Sequence, residues 1–250
     1  MKALSAQSVS KVFGGLHAVS GVTIEVEPGE CRAIIGPNGA GKTTLLHLLS
    51  GTLPVTSGAI SLMGQDVTKM RPFSRTLKGL GRTFQITSLF PSLTIEQNVM
   101  LALQPWEGRR YAIYRPATSF TSVMNRAQEM LEEGGFWEKR SVPVRQLSHG
   151  EQRQLELILA LAGRPSVLLL DEPTAGLSEA ERTTMTEVFY RLKGEVAMLL
   201  VSHDIDVAFA VADSISVLHL GELLVEGPPL EVRADPRVMR VYLGDEVEDA

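Results

Sequence analysis

The spacing of apolar and polar residues divides the chain into short strands and helices. Apolar residues alternate with polar ones over residues 3–12 and 22–26, which predicts two half-buried strands separated by a turn at Gly14 and Gly15. Short and almost continuous apolar runs predict fully buried strands at residues 31–35, 167–170 and 196–201. None of these runs approaches the roughly 20 residues that a membrane-spanning helix needs.

Helical periodicity and capping residues predict the helices. Residues 45–49 form an apolar segment that Gly51 ends, and Thr94 is placed as the N-cap of the segment IEQNVMLAL. Ser178 and Glu181 have the spacing of a capping box. Two further segments each carry an apolar stripe at helical spacing. The first stripe consists of Val123, Ala127, Met130 and Leu131, and the second consists of Met185, Val188, Phe189 and Leu192.

The order of these elements predicts an α/β fold. Strands that alternate with helices favour a mostly parallel sheet covered on both faces, preceded here by an antiparallel β portion at the amino terminus. Residues 86–161 carry mainly helical signals, and we interpret them as a helical subdomain inserted into a core made of residues 1–85 and 162–250. A strand pair about Gly221 and short helices complete the predicted core.

Composition narrows the functional classes. The 250 residues include 24 Lys and Arg against 29 Asp and Glu, a formal net charge of −5 without a basic run, so a nucleic-acid partner is not expected. Cys31 is the single cysteine, which excludes a disulfide within the chain and a multi-thiolate metal site. Because the amino terminus has no secretion signal, we expect a cytoplasmic protein that reaches a membrane only by docking onto something that spans it.

A glycine-rich loop supplies the first candidate chemistry. Residues 36–44 read GPNGAGKTT and follow the pattern G-x-x-x-x-G-K-[ST] between a predicted strand and a predicted helix, the context of a nucleoside triphosphate site. Lys42 is expected to bridge the β- and γ-phosphates, and the Thr43 hydroxyl to ligate Mg²⁺. The expected ATP-binding residues of this loop are Gly36, Pro37, Asn38, Gly39, Ala40, Gly41, Lys42, Thr43 and Thr44.

Polar residues at the ends of other predicted elements complete a candidate catalytic centre. Asp171 ends an apolar strand where it can hold the Mg²⁺ shell, and Glu172 follows it as the candidate that orients or deprotonates the attacking water. His203 follows the next buried strand and is expected to reach the γ-phosphate. Gln85 is a candidate Mg²⁺ or water ligand at the entrance to the helical subdomain.

A second loop of similar kind lies at residues 148–152, which read SHGEQ before a predicted helix. Ser148 and the amide of Gly150 would form another anion site at a helix N-terminus. Because the chain already has one phosphate loop, we interpret this one as a contact to the nucleotide of a second protomer. A head-to-tail dimer would then enclose two nucleotides between glycine loop and serine loop.

These motifs, in this order, resemble the ATP-binding cassette subunit of ABC transporters over essentially the whole chain. The resemblance implies an ABC ATPase fold with a P-loop NTPase core, and it places the family motifs as follows: Walker A at residues 36–44, the Q-loop at Gln85, the signature at residues 148–152, Walker B ending at Asp171 and Glu172, and the switch at His203. It also implies that Phe13 stacks on adenine and that Gln152 contacts nucleotide together with Ser148 and Gly150.

Three residues depart from the commonest form of these motifs. His149 and Glu151 replace other residues of the signature, while its serine and last glycine remain, so the phosphate contact is expected to survive. Ser178 stands in the D-loop where many relatives have Asp. This puts the usual contact between protomers in doubt there, whereas the capping box gives Ser178 a local role.

A finer resemblance concerns the transported solute. The segments FGGLHAVSGV, GLGRTFQITSLFPSLTIEQNV, LSHGEQRQLE and VYLG resemble importers of branched-chain or hydrophobic amino acids, some relatives of which carry urea or aromatic acids. The family implies two integral-membrane permease subunits, a second ATPase protomer that is either another copy or a sister subunit, and an extracytoplasmic solute-binding protein. The subunit itself would lie at the inner face of the cell membrane.

Three alternatives stay open at this point. An exporter ATPase of the lipopolysaccharide-transport type also ends in a similar segment, although RTFQ in place of a Pro-Gln Q-loop argues against it. Soluble ABC proteins of DNA repair or translation usually carry two cassettes or a long coiled-coil insert, and this chain has one cassette. A regulatory GTPase would need a guanine-reading motif such as N-K-x-D, which the sequence lacks.

Overall fold

A computed structural model describes residues 1–83, 89–106 and 121–243 of the chain. Its strands within these ranges are β1 (Leu4–Phe13), β2 (Leu16–Val26), β3 (Cys31–Ile35), β4 (Ser57–Leu62), β5 (Gln65–Asp66), β6 (Leu80–Arg82), β7 (Val167–Asp171), β8 (Ala197–Val201), β9 (Ser214–His219) and β10 (Glu222–Gly227). Its helices there are α1 (Lys42–Ser50), α2 (Pro72–Thr76), α3 (Ile95–Leu103), α4 (Thr121–Glu133), α5 (His149–Leu161), α6 (Glu179–Leu192), α7 (Ile205–Val211), α8 (Pro229–Ala234) and α9 (Pro236–Leu243).

Two sheets form the core. The larger sheet has the strand order β10-β9-β3-β8-β7-β6, and all its pairings are parallel except that of β10 with β9. Every residue of β3, β7 and β8 is buried, which explains why their sequences are continuous apolar runs rather than alternating ones. Since β3, β7 and β8 are parallel neighbours, their carboxyl ends meet at one edge of the sheet.

The smaller sheet is antiparallel, with the order β2-β1-β4-β5. The predicted antiparallel portion at the amino terminus is therefore confirmed. Strand β2 begins at Leu16, well before the predicted start at residue 22. Gly21 interrupts the alternation with φ of 60°, and the amide of Ser20 donates to the distant carbonyl of Gly221 at 2.8 Å. A contact of that sequence separation leaves no trace in the local pattern.

The helices between residues 89 and 162 pack on one another. Helices α3, α4 and α5 share a buried apolar cluster that is distinct from those under the sheets, and this separate core supports the proposed inserted subdomain. The predicted stripe of α4 is buried as expected, and Thr94 caps α3 in a capping box with Gln97. Over the part of the chain that the structure describes, no helix combines the length and the apolarity needed to cross a membrane.

A buried arginine fastens the far end of α1. Arg75 in α2 is 1% exposed, and its guanidinium donates to the carbonyls of Leu48 and Leu49 at 2.8 and 2.6 Å. It also donates to the carbonyls of Thr68 and Met70. Burial lowers the pKa of Arg75 to about 10, which leaves the group charged at neutral pH. A cation at these carbonyls complements the negative end of the α1 dipole.

Candidate functional site

The glycine loop between β3 and α1 is enclosed by backbone from two other strands. A Cβ on Gly36 would lie 2.1 Å from the carbonyl oxygen of Leu218 in β9, and one on Gly41 would lie 2.5 Å from that of Ala18 in β2. Gly41 is also the N-cap of α1 with φ of 100°, a conformation that other residues rarely adopt. These two positions therefore require glycine for close packing as well as for backbone freedom.

Lys42 lies over the carbonyls of its own loop. Its ammonium group donates to the Gly36 carbonyl at 2.6 Å and to the Pro37 carbonyl at 3.0 Å. Burial lowers the pKa of Lys42, and the nearby Glu172 carboxylate opposes this shift. The loop thus holds a buried cation at the N-terminus of a helix, and both features attract a polyphosphate.

A cleft of about 520 Å³ opens above this loop. It brings together most of the predicted site, namely Asn38, Gly39, Ala40, Gly41, Lys42, Thr43, Thr44, Glu172 and His203. Its other walls come from Leu16, His17 and Ala18 of β2 and from Leu220. Sequence reasoning missed these four residues, because the contact between the two sheets that brings them to the loop has no local signal.

Asp171 lies at the end of β7, 1% exposed. Its Oδ2 atom lies 3.4 Å from the Arg82 guanidinium, and its backbone amide donates to the Thr83 hydroxyl at 3.3 Å. Burial raises the pKa of Asp171, and the neighbouring Glu172 adds to the rise, while Arg82 opposes both. The Oδ1 atom is buried without a hydrogen-bond partner in the described part of the chain.

The residues around Asp171 fit a Mg²⁺ ion. An orphaned carboxylate oxygen and the Thr43 hydroxyl in the adjacent cleft are the oxygen ligands that Mg²⁺ prefers. Mg²⁺ normally keeps several waters and takes only one or two protein carboxylates. Within the described ranges, no group of three His, Cys, Asp or Glu residues could hold a metal.

Glu172 pairs with His203 at the same edge of the sheet. His203 Nε2 lies 2.5 Å from Glu172 Oε1, and the carboxylate is mostly buried whereas the imidazole is half exposed. Glu172 has φ of 49°, a left-handed backbone conformation that is strained for a glutamate before proline. Its amide donates to the Val201 carbonyl at 2.8 Å, and this bond holds the strained residue against β8. Such strain concentrates at functional sites.

The loop around Ser148 lies apart from this cleft. Ser148 is the N-cap of α5, and Glu151 completes a capping box with it. The Glu151 carboxylate accepts from the Ser148 amide at 2.8 Å and pairs with Lys139 at 2.5 Å. The departure at position 151 thus has a local explanation, since a glutamate there caps the helix.

A small cavity of about 190 Å³ adjoins this serine loop and includes Glu181 in its wall. The Ser148 hydroxyl and the Gly150 amide both donate to Glu181 Oε1, each at 3.1 Å. The Gln152 side chain donates to the Leu147 carbonyl at 3.1 Å and so points back at its own loop. None of these residues lines the cleft above the glycine loop.

Phe13, at the end of β1, is 44% exposed, lies beneath the ammonium of Lys11 at 5.0 Å, and does not line the cleft, although its β2 neighbour Leu16 does. Gln85 lies outside the described residues, as do Phe84 and Ile86. The roles assigned to Phe13 and Gln85 stay predictions.

The sequence compares closely with known proteins. Residues 19–175 match the ABC transporter family. The chain belongs to that family. Residues 222–248 match the family of branched-chain amino acid ATP-binding cassette transporters, which accounts for the VYLG segment.

Two curated ABC proteins illustrate the relationship. The chain is 34% identical to the high-affinity branched-chain amino acid transport ATP-binding proteins BraF of Pseudomonas aeruginosa and LivG of Escherichia coli K12. Both matches cover 97% of this chain and 98% of the relative. Among solved structures, the ADP conformation of MJ1267, an ATP-binding cassette of an ABC transporter, has a TM-score of 0.85 at 25% identity and covers 98% of this chain and 100% of its own.

These findings confirm the predicted ABC ATPase fold and ATP binding. They identify an ATP-hydrolysing subunit of an ABC importer and favour neither the exporter nor the soluble alternative.

Proposed function

We propose that this subunit binds Mg-ATP at the glycine loop and hydrolyses it to drive import of branched-chain amino acids. It would dock on integral-membrane permease subunits at the inner face of the cell membrane, with an extracytoplasmic binding protein delivering the solute. The match of residues 222–248 to the branched-chain amino acid class and the names of BraF and LivG support this choice of solute.

Binding of the triphosphate rests on the glycine loop. The amides at the N-terminus of α1 and the ammonium of Lys42 would contact the β- and γ-phosphates, with Lys42 exchanging its loop carbonyls for phosphate oxygens. Thr43 and Asp171 would hold Mg²⁺, which when bound neutralises charge on the phosphate oxygens. Arg82 orients Asp171, because its guanidinium lies against Oδ2, and the Oδ1 atom would be the one to hold the ion.

The proposed hydrolytic step rests on a single observation, the Glu172–His203 pair in the wall of the cleft. A carboxylate held by an imidazole 2.5 Å away is positioned to accept a proton from water that attacks the γ-phosphate. The strained backbone of Glu172 fixes where that carboxylate points. His203 is half exposed and would donate to the γ-phosphate once its Nε2–H leaves Glu172 Oε1.

The position of the serine loop outside the cleft of its own chain motivates a dimer. Ser148 and Gly150 form a second cradle for an anion, but they do not line the cleft of their own chain. We therefore propose that they contact the γ-phosphate held by an opposite protomer, either a second copy or a sister subunit, in head-to-tail pairing.

The substitution Glu172→Gln tests the catalytic assignment. It removes the proton acceptor but keeps the shape, so we expect kcat to fall roughly 1,000-fold with little change in ATP affinity. ATP that is not hydrolysed should then hold two protomers together, and sedimentation in the presence of ATP would detect this dimer. Unchanged turnover by this variant would remove Glu172 from the role of base.

Reconstituted transport tests the biological function. The subunit and its permease in proteoliposomes, with the binding protein outside, should take up labelled leucine, isoleucine or valine only when ATP is inside. The same assembly carrying Glu172→Gln serves as the matched control and should be inactive. ATP-driven movement of a different solute with no uptake of these three would reject the substrate while leaving the ATPase assignment in place.

A further inference from the structure

The serine loop already holds an anion that belongs to the chain itself. Glu181, in the first turn of α6, accepts from the Ser148 hydroxyl and from the Gly150 amide through the same oxygen, Oε1, at 3.1 Å each. Its other oxygen accepts from the Ser178 amide at 3.0 Å and the Ser178 hydroxyl at 2.8 Å. One carboxylate therefore joins the serine loop to the N-cap of α6.

The local geometry shows how closely this carboxylate is seated. A Cβ on Gly150 would lie 2.3 Å from Glu181 Oε1, so only glycine lets the carboxylate reach the amide. The hydrogen bonds from Ser178, Ser148 and Gly150 lower the pKa of Glu181, with Ser178 contributing most, and the group stays ionised at neutral pH. Glu181 thus presents a full negative charge to the donors of the serine loop.

The same two donors are the ones that the proposed function reserves for the γ-phosphate of the opposite protomer. The Gly150 amide has a single hydrogen to donate, and so does the Ser148 hydroxyl. Carboxylate and phosphate therefore cannot both occupy them. A carboxylate left beside an arriving triphosphate would also repel it, because like charges at such short range are unfavourable.

We propose that Glu181 is a positioning residue that stands in for the γ-phosphate at the serine loop and withdraws when two protomers close around ATP. This inference rests on the proposed function, since it takes its competitor from the head-to-tail dimer. In the isolated subunit the contact keeps Ser148 and Gly150 oriented for an anion. On closure the triphosphate takes over these donors, while Ser178 retains the carboxylate at the start of α6.

The competition sets the ATP concentration at which dimers form. Hydrogen bonds to a charged group are among the stronger ones in proteins, so breaking two of them opposes closure. Removing the charge of Glu181 should therefore ease dimer formation without altering the first binding step, because Glu181 lies outside the cleft above the glycine loop.

The test uses the full chain carrying Glu172→Gln, so that ATP persists, alone and mixed with its sister subunit. Sedimentation at increasing ATP gives the concentration for half-maximal dimer. Adding Glu181→Gln should lower this midpoint about tenfold, while ATP affinity of the monomer is unchanged. Glutamine can still complete the capping box, so α6 keeps its start.

Glu179→Gln is the matched control. Glu179 is an exposed acid in the same helical turn as Glu181. Its backbone carbonyl, and not its carboxylate, accepts a hydrogen bond from the Thr183 hydroxyl. Its substitution removes the same charge and should leave the midpoint unchanged. A second variant, Glu181→Asp, keeps the charge but shortens the side chain beyond reach of Ser148, and it should lower the midpoint as well.

The outcomes separate the two proposals. If the midpoint stays the same or rises in both Glu181 variants, Glu181 does not stand in for the γ-phosphate at the serine loop. That outcome would leave the proposed head-to-tail dimer around ATP in place. If no variant, including the parent, forms an ATP-dependent dimer with itself or with a sister subunit, the head-to-tail dimer is wrong. The inference about Glu181 would then be rejected with it.

Discussion

The glycine loop and the serine loop are two solutions to the same local problem. Each precedes a helix, α1 or α5, whose first amides lack partners within the helix. At α1 the N-cap is Gly41, which has no side chain to accept those amides, and the first turn has no acidic residue. At α5 the cap is Ser148, Glu151 lies in the first turn, and Glu181 reaches in from α6.

The comparison shows that a helix N-terminus by itself does not decide what it binds. The glycine loop adds a buried lysine, and the first turn of α1 has no acidic residue, so the amides of α1 favour an external polyphosphate. The serine loop satisfies its amides from within the chain, so an external anion must compete for them. The first loop is expected to bind nucleotide in a single subunit, and the second is expected to act only when another subunit delivers one.

Lys42→Ala should have the largest effect on the difference between the two loops. Without its cation the glycine loop loses the feature that distinguishes it from the serine loop, and we expect ATP affinity of the isolated subunit to fall roughly 200-fold. Titration with a fluorescent ATP analogue measures the change. Lys78→Ala, at an exposed lysine outside the cleft, should bind normally. Near-normal binding by the Lys42 variant would show that the amides suffice.

Ser148→Ala should separate binding from turnover. We expect kcat of the assembled pair to fall about 20-fold, because a hydrogen bond to a charged oxygen is lost, while ATP binding by the monomer is preserved. The matched control is Thr94→Ala, which removes an equivalent helix cap at α3, far along the chain from both loops. If monomer binding is lost instead, the serine loop serves its own protomer and the proposed dimer is wrong.

Glu151→Ala should give the smallest effect, in stability rather than activity. Lys139 first, and then the Ser148 amide and hydroxyl, lower the pKa of this carboxylate. Its contribution to the free energy of unfolding, about 0.5 kcal/mol after solvent screening, is therefore present above the unfolded pKa and disappears as pH falls through the lower folded pKa. Urea unfolding of the variant and wild type should differ at pH 7 and converge in acid.

Gln97→Ala provides the control for that experiment. Gln97 occupies the same position in the capping box of α3 as Glu151 does in that of α5, but it carries no charge. Its substitution should cost a similar amount of stability at every pH. A Glu151 effect that persists undiminished in acid would show that the carboxylate acts through its shape and not through its charge.

The sequence was sufficient wherever a structure depends on neighbours along the chain. The strand, glycine loop and helix around Lys42 follow from glycine spacing and an apolar run, and both are local. The capping residues Thr94, Ser148 and Ser178 likewise bond within three residues. Sequence therefore predicted the starts of α3 and α6 and the fold class to which these elements belong. It placed the helix of α5 after residues 148–152, whereas α5 begins at His149, because Ser148 and Glu151 form a capping box there.

The sequence was insufficient where a side chain finds a partner far along the chain. The sequence around Arg75 does not indicate that this residue is buried against the end of α1. The sequence around Arg82 does not indicate its pairing with Asp171 either. The Glu181 contact to Ser148 spans 33 residues and two helices. Strand β2 was likewise predicted too short, because its first half is fixed by the other sheet rather than by alternation.

The buried Arg75 has a consequence for how the molecule melts. Local opening of residues 68–75 would strip the guanidinium from the Leu48 and Leu49 carbonyls and leave them unpaired in the interior. The end of α1 and the α2 segment must therefore open together, as one cooperative unit. In native-state hydrogen exchange the amides of both segments should follow a common opening free energy. The helix α1, which we propose to bind nucleotide, would then be protected by a segment that is not part of the site.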